Sequence, residues 1–264
     1  MYNILIRPFT RRMKPEKANR LAMRYFKAIG KIPGMRFFSR ILHNNAPGVY
    51  SREVFGMQFY NPLGLGAGLD LKGELYNDLN DLGFSFTEIG PLDENSVREA
   101  ISNIQKDPQD DILAACISSD FLTVFSLAYD FCDFFVIDVS AQESIDTDEF
   151  HPLLDARLTY DTYKPLVVKV PDRMSECDLR ELLNFCLMNG IDGIIARNFS
   201  QIRIINEFSG GRMPVIANCH TRTVSNAVEL LKAGASLVEV RSGLVTEGPS
   251  LVAKILKQLS KCPI

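Results

Sequence analysis

Eight short apolar segments recur after residue 60, at 63–65, 86–89, 112–116, 134–139, 166–170, 193–196, 214–217 and 237–240, and helical stretches separate them. They are rich in Val, Ile, Leu and Phe, the pattern of strands buried on both faces of a parallel sheet. Eight such units in the 212 residues after position 52 predict a (β/α)8 TIM-type barrel near the lower end of its size range. An open doubly wound sheet is the alternative, because the third and fourth units are compressed. Residues 52–59 read as a short strand pair closing the barrel bottom.

Charge divides the chain. Residues 1–52 hold twelve Lys or Arg and one acid, Glu16, a net +11, while the remainder holds seventeen basic and thirty-one acidic residues, a net −14. Segregation on that scale implies that the two parts face different partners. Residues 2–12 and 15–29 read as two helices, with Pro15 in the first turn of the second. Leu21, Tyr25, Ala28 and Ile29 recur at helical spacing, Met23 and Phe26 widen the apolar face, and Arg20, Arg24, Lys27 and Lys31 supply a basic side. Met35, Phe37, Phe38, Ile41 and Leu42 add a second apolar patch. A basic amphipathic helix pair fits an interfacial membrane anchor; the alternative is that the helices pack on the main domain and their basic side is only solvated. The expected organisation is therefore a membrane-associating helical extension over 1–52 and a compact barrel over 53–264. An anionic membrane surface is the expected partner of the extension, with a protein partner or a homo-oligomer also open, and the expected location is cytoplasmic, peripheral to the inner face of the cell membrane. Nucleic acid is not expected, because the rest of the chain is acidic.

Other classes drop out quickly. No apolar run reaches transmembrane length, and Arg7, Arg11, Arg12 and Lys14 interrupt any signal-peptide core. The six cysteines form no CxxC pair and the three histidines are dispersed, so reduced thiols are expected, and neither disulfides nor a metal site.

Several blocks carry a resemblance. They are the opening Met1-Tyr2 with Ile6-Arg7-Pro8 and Pro15-Glu16-Lys17, then Asn61-Pro62-Leu63-Gly64-Leu65, the FSFTEIG stretch at 84–90, Ile191-Asp192-Gly193-Ile194-Ile195-Ala196, Ala233-Gly234-Ala235-Ser236-Leu237-Val238 and Gly248-Pro249. In this order the chain resembles the class 2, membrane-associated dihydroorotate dehydrogenases over nearly all its length. The resemblance implies a barrel holding FMN at the C-terminal strand ends, two N-terminal helices that guide a quinone from the membrane, and oxidation of dihydroorotate to orotate in pyrimidine synthesis. It places Lys169 at the flavin ring, Asn198 at the substrate, Ser242 and Gly243 at the end of a phosphate turn, and Ala67 and Gly68, with Gly66, in the small-residue bend after the first strand. For Lys169 the alternative is a barrel-mouth lysine paired with a carboxylate such as Asp138.

The departures matter more for chemistry. The family's fourth strand runs into Asn-x-Ser-(Ser or Cys)-Pro-Asn, whose fourth position is the catalytic base. Here the stretch is Asp138-Val139-Ser140-Ala141-Gln142-Glu143, so the base position is Ala141, which cannot accept a proton, and no catalytic residue is assigned. Asp138 and Glu143 replace both asparagines. The family's Gly-Val-Gly-Gly after strand seven is Ala217-Asn218-Cys219-His220, which puts side chains where backbone N–H groups would meet phosphate. Leu71 stands where a lysine is expected, although Lys72 follows; the family's Asn-Ile-Gly-Lys-Asn after strand three is Cys116-Ile117-Ser118-Ser119-Asp120, the substrate loop has no counterpart near Asp93–Ala100, and only Ser209-Gly210-Gly211 remains of the Gly-Gly-Leu-Ser-Gly turn after strand six. The site thus reads as vestigial, with no cofactor expected and the barrel serving as a membrane-surface binding or scaffold protein. The alternative is a working FMN-dependent, quinone-reducing dihydroorotate dehydrogenase with an unusual site, and only then is FMN expected.

Overall fold

The computed structural model describes residues 2, 6–10, 12–30, 50–106 and 111–261. Two short antiparallel strands open the barrel region, β1 (Arg52–Val54) and β2 (Met57–Phe59), with Val54 opposite Met57. The two-residue turn between them, Phe55-Gly56, takes positive φ at both positions, the form that matches the strand twist of a tight hairpin.

Eight parallel strands follow: β3 (Leu63–Leu65), β4 (Phe86–Leu92), β5 (Ile112–Ile117), β6 (Phe134–Asp138), β7 (Leu166–Lys169), β8 (Gly193–Ala196), β9 (Val215–Ala217) and β10 (Leu237–Glu239). They pair in sequence order and close, β10 against β3, into a barrel. The closure sets aside the open doubly wound sheet. The compressed third and fourth units still supply strands β5 and β6, because their helical layers are short: Phe121–Ala128 and His151–Arg157.

The barrel interior is filled rather than hollow. Phe55, Phe59, Phe86 and Phe134 form an aromatic floor with ring centroids 5.6–6.0 Å apart, so the hairpin does close the bottom. Above it lie Ala114, Val136, Val167, Ile195, Ile216 and Leu237 in one buried cluster. Each comes from a different strand, and on β6 the floor residue Phe134 lies two before Val136, as side-chain alternation requires.

At the N-terminus, α1 (Arg7–Thr10) and α2 (Pro15–Gly30) form a hairpin. Ala18, Ala22 and Phe26 of α2 are buried in the main core, and Tyr2 stacks on Phe26 at 5.9 Å while its hydroxyl donates to the Val245 carbonyl. The extension is thus packed on the barrel. The buried stripe is rotated from the one expected: Ala28 is exposed and Leu21 and Tyr25 are only half-buried. Two alanines one turn apart let α2 approach α10 (Arg241–Glu247) closely, which larger side chains on that face would prevent. Arg7 of α1 pairs with Glu247 of α10, and Lys27 of α2 pairs with Glu74 in the segment after β3. The apolar patch expected at residues 35–42 lies outside the described residues. Among the described residues no helix is long and apolar enough to cross a membrane.

Candidate functional site

The C-terminal ends of parallel strands are where a barrel of this kind builds its site. In this chain the inward positions there are polar: Glu88 on β4, Cys116 on β5, Asp138 on β6, Lys169 on β7, Asn218 after β9 and Glu239 on β10. Glu88, Lys169, Asn218 and Glu239 are buried, and Asp138 is nearly so. Burying four ionisable side chains together is costly unless they satisfy one another.

One half of the layer is an ion pair. Asp138 and Lys169 are register partners on β6 and β7, so their side chains rise side by side on one face. The Lys169 Nζ stands 3.0 Å from Asp138 Oδ2, which is the carboxylate pairing weighed for Lys169 from sequence. Asp138 Oδ1 accepts the Ser140 amide at 3.0 Å, and the Cys116 thiol donates to Oδ2 at 3.4 Å. Burial alone would raise the Asp138 carboxyl, but the Lys169 ammonium and the Ser140 contacts hold it below its ordinary value. Burial likewise opposes the charge on Lys169, yet the surrounding Glu88, Asp138 and Glu239 carboxyls keep it firmly protonated. The Cys116 thiol is pushed well up, by burial first and then by Glu88, so it stays protonated and is no general base.

The other half is a pair of acids. Glu88 Oε2 accepts the Ala67 amide at 3.0 Å, and Glu239 Oε2 accepts from the Asn218 side-chain amide. The second oxygen of each, Oε1, is buried and has no donor. The Glu239 carboxyl is raised well above the ordinary range, by burial first and by the neighbouring Glu88 next. That shift favours the protonated form of Glu239, whose hydroxyl can serve as the donor that the acid pair otherwise lacks.

These side chains fill the bend that follows β3. A Cβ placed on Gly66 would stand 2.2 Å from Glu239 Oε2, and one on Gly68, at φ +97°, would stand 2.4 Å from Arg241 Nη1. Arg241 also donates to the Ala67 carbonyl at 2.8 Å. The Gly68 amide is taken by the Gly90 carbonyl at 2.8 Å, and the Ala67 amide by Glu88. A groove of about 620 Å³ lies on the other side of this bend, between α2 and residues 68–75, and its walls include Asn19, Met23, Leu71 and Leu75.

The remaining sequence-assigned positions are dispersed. Asn198 caps α8 (Phe199–Ser209): its Oδ1 accepts the Gln201 amide at 3.0 Å and its Nδ2 donates to the Asp172 carbonyl at 2.9 Å. Gly243 lies inside α10, where an added Cβ would meet the Thr221 carbonyl at 2.4 Å and Leu251 at 2.5 Å. The Ser242 and Thr221 hydroxyls are buried without a partner. Nearby His220 sits at φ +52°, its protonation suppressed by burial and then by Arg197, Arg241 and Arg222. Ala141 is exposed in the turn after β6, and Glu143 points to an outer cleft instead of the mouth. Glu88, Glu239 and Arg241 were not singled out from sequence. The signal was there: an acid in the middle of an otherwise apolar strand, Thr87-Glu88-Ile89 and Val238-Glu239-Val240, has nowhere to point but the barrel mouth. Among the described residues no cluster of His, Cys, Asp and Glu could hold a metal ion.

Comparisons with known proteins agree with this architecture. The family model described as dihydroorotate dehydrogenase matches residues 190–262. A dihydroorotate dehydrogenase (quinone) from Christiangramia forsetii is 25% identical, covering 98% of each chain, and one from Sulfurimonas denitrificans is 26% identical, covering 97% of this chain and 93% of the relative. The first alignment runs over 335 positions against 264 residues here, so the relatives carry segments that this chain lacks. Among solved structures, the ligand-free dihydroorotate dehydrogenase of Eimeria tenella superposes with a TM-score of 0.79 at 16% identity, over 95% of this chain and 96% of that one. A ferulenol complex of the Eimeria tenella enzyme gives 0.73 at 16% identity, over 93% and 90%. On these grounds the chain is similar, over nearly all its length, to the class 2, quinone-type dihydroorotate dehydrogenases, of which it is a shortened relative.

Proposed function

We propose that this chain has kept the family barrel and its basic N-terminal helices while losing FMN and dihydroorotate oxidation, and that it acts as a binding or scaffold protein at a membrane surface. The observation that carries this reading is the self-filled mouth. Glu239 lies against Gly66 and Arg241 against Gly68, in the bend where the family resemblance puts the cofactor. The residues do not fit FMN: the amides of Ala67 and Gly68 already have internal acceptors, and Gly243 is packed from within. Catalysis lacks its base as well, since Ala141 has no titratable group, and general base catalysis alone contributes about 10²–10⁴ in rate.

The test is direct. The protein purified from flavin-replete cells, and the same protein incubated with excess FMN and desalted, is expected to show no flavin absorbance and no quinone-dependent orotate formation. Stoichiometric flavin, or orotate above a no-enzyme control, overturns the reading. A working enzyme is the second reading. The observation that favours it is the pair of unpartnered hydroxyls, Thr221 and Ser242, close to Arg197, Arg222 and Arg241, an end of the barrel that still suits an anion.

The membrane part rests on the net +11 of residues 1–52 and on Phe9 and Met13, which are 56% and 40% exposed beside Arg12 and Lys14. Polybasic segments gain about 1 kcal/mol per Lys or Arg near an anionic surface, and salt screens that gain. Vesicles containing anionic lipid are expected to sediment the protein at low salt and to release it at high salt. Binding that ignores both salt and lipid charge would count against it.

A further inference from the structure

Between the loop after β6 and α7 (Glu176–Asn189) lies a cleft of about 970 Å³, near the upper end of the range of ligand pockets. Neither the mouth nor the groove beside α2 includes it. Its rim carries Glu143, Asp178 and Glu181, and its apolar surface includes Met174, Phe185 and Met188, the last 77% exposed. Arg173 and Asp172 add one charge of each sign. Glu143 and Glu181 make no ion pair among the described residues. A large exposed methionine beside unpaired acids is an unusual free surface, and it calls for an occupant that is both apolar and cationic.

The chain supplies one. At the α1–α2 turn Phe9 and Met13 project as two exposed apolar knobs, flanked by exposed Arg12 and Lys14. That tip cannot reach the cleft of its own chain. The helices pack beside β3 and α10, next to the β10–β3 closure, whereas the cleft opens beside β6 and β7, on the opposite wall of the closed strand order. We propose that the cleft receives the α1–α2 tip of a second copy, with Phe9 and Met13 entering the Met174–Phe185–Met188 surface and Arg12 and Lys14 meeting Glu143 and Glu181. Because tip and cleft are different surfaces, the contact is heterologous and propagates head to tail into a ring or a chain. It would also occupy the tip that the proposed membrane contact uses, so the two states exclude each other.

The heterologous geometry gives a clean test by sedimentation velocity of the full-length protein. The wild type is expected to associate as its concentration rises, about tenfold more weakly at about 0.5 M salt than at about 0.05 M. A tip variant, Arg12→Glu with Lys14→Glu, and a cleft variant, Glu143→Lys with Glu181→Lys, should each be monomeric alone. Mixed, the cleft variant's basic tip meets the tip variant's acidic cleft, and the tip variant's acidic tip meets the cleft variant's basic cleft, so both contacts are restored and association that grows with concentration is expected. All four positions are exposed, and association on mixing itself shows that both variants are folded. Wild type that stays monomeric at about 100 μM, single variants that still associate, or a mixture that stays monomeric while both variants keep wild-type circular dichroism, overturns the proposal. So does a monomeric protein whose tip binds only vesicles. Neither arm depends on flavin, so failure here leaves the FMN reading untouched.

Discussion

Replacing Glu239 by glutamine tests the acid pair without disturbing its packing. The two side chains have the same shape. The Gln carbonyl oxygen can accept from Asn218 as Oε2 does now, and its amide can donate to the Glu88 oxygen that otherwise depends on a shared proton. The sign follows from linkage. The folded-state value for Glu239 lies well above the unfolded value of 4.5, so between the two the folded protein holds a proton that the unfolded chain has released. Stability from this group is complete below the unfolded value and is lost as pH rises toward the folded one, at about 1.4 kcal/mol per pH unit for a single proton. Between the unfolded value and the folded one, the wild type should lose stability, at up to about 1.4 kcal/mol per pH unit, that the glutamine variant keeps. Urea denaturation at closely spaced pH values measures this. The variant's stability should match the wild type's near pH 4.5, and the two curves should diverge steadily above it. Parallel curves across that interval would mean that the pair holds no extra proton, and the account of the barrel mouth would fail with them.

Lys169→Met leaves Asp138 buried beside two further acids, so a loss of about 3–5 kcal/mol is expected in denaturant titrations at neutral pH. Asp138 acts in the opposite sense to Glu239: its folded-state value is held below the unfolded one, so its contribution is present above the unfolded value and disappears as pH falls through the folded one. The Lys169→Met penalty should therefore shrink in acid, and a penalty independent of pH would sink the ion-pair assignment. Ala22→Leu on α2 inserts volume at a fully buried contact and should cost about 1–3 kcal/mol; rapid proteolysis within α2 of an otherwise resistant barrel is the expected readout. Ala141→Ser combined with Glu143→Asn should remain without orotate formation, because it restores a base and an amide but leaves Glu239 and Arg241 in place.

Much of the architecture was legible because buried parallel strands write themselves as apolar runs. All eight appear within three residues of the positions read from sequence, the largest shift being β4, which extends to Leu92 because it keeps pairing with β5 through Ile117. The helical extension was legible as amphipathic, but its buried stripe was misplaced: Ala18 and Ala22 weigh little in a hydrophobic pattern, yet small size is what close helix packing selects. At the mouth, the Lys169 contact with Asp138 could be anticipated from strand ends. The Glu88–Glu239 pair could not be, because pairing across β3 depends on Gly66 having no side chain in the way, and nothing local to either acid reports that.

That dependence on Gly66 bears on how the mouth is held closed. A barrel built around a bound group has a mouth shaped for it, and a chain without the group must close the mouth itself, since unfilled space and unpaired buried polar atoms are both destabilising. Apolar replacement would be the simpler solution energetically. This chain instead surrounds Lys169 with Asp138, Glu88 and Glu239, so the ammonium is neutralised from within the mouth. Three acids against one lysine leave an excess that only a shared proton relieves. The barrel mouth is therefore tied to proton binding: raising pH ionises Glu239 before it loosens any apolar contact, and opening of the strand ends should be the first alkaline event. Amide hydrogen exchange at Ala67, whose N–H is held by Glu88, should accelerate with pH beyond its intrinsic chemical dependence. The Phe135 amide, bonded to the Pro165 carbonyl near the barrel floor, should follow the intrinsic dependence alone. Equal acceleration at both amides would show global unfolding and no local opening, and the link between the acid pair and the mouth would have to be abandoned.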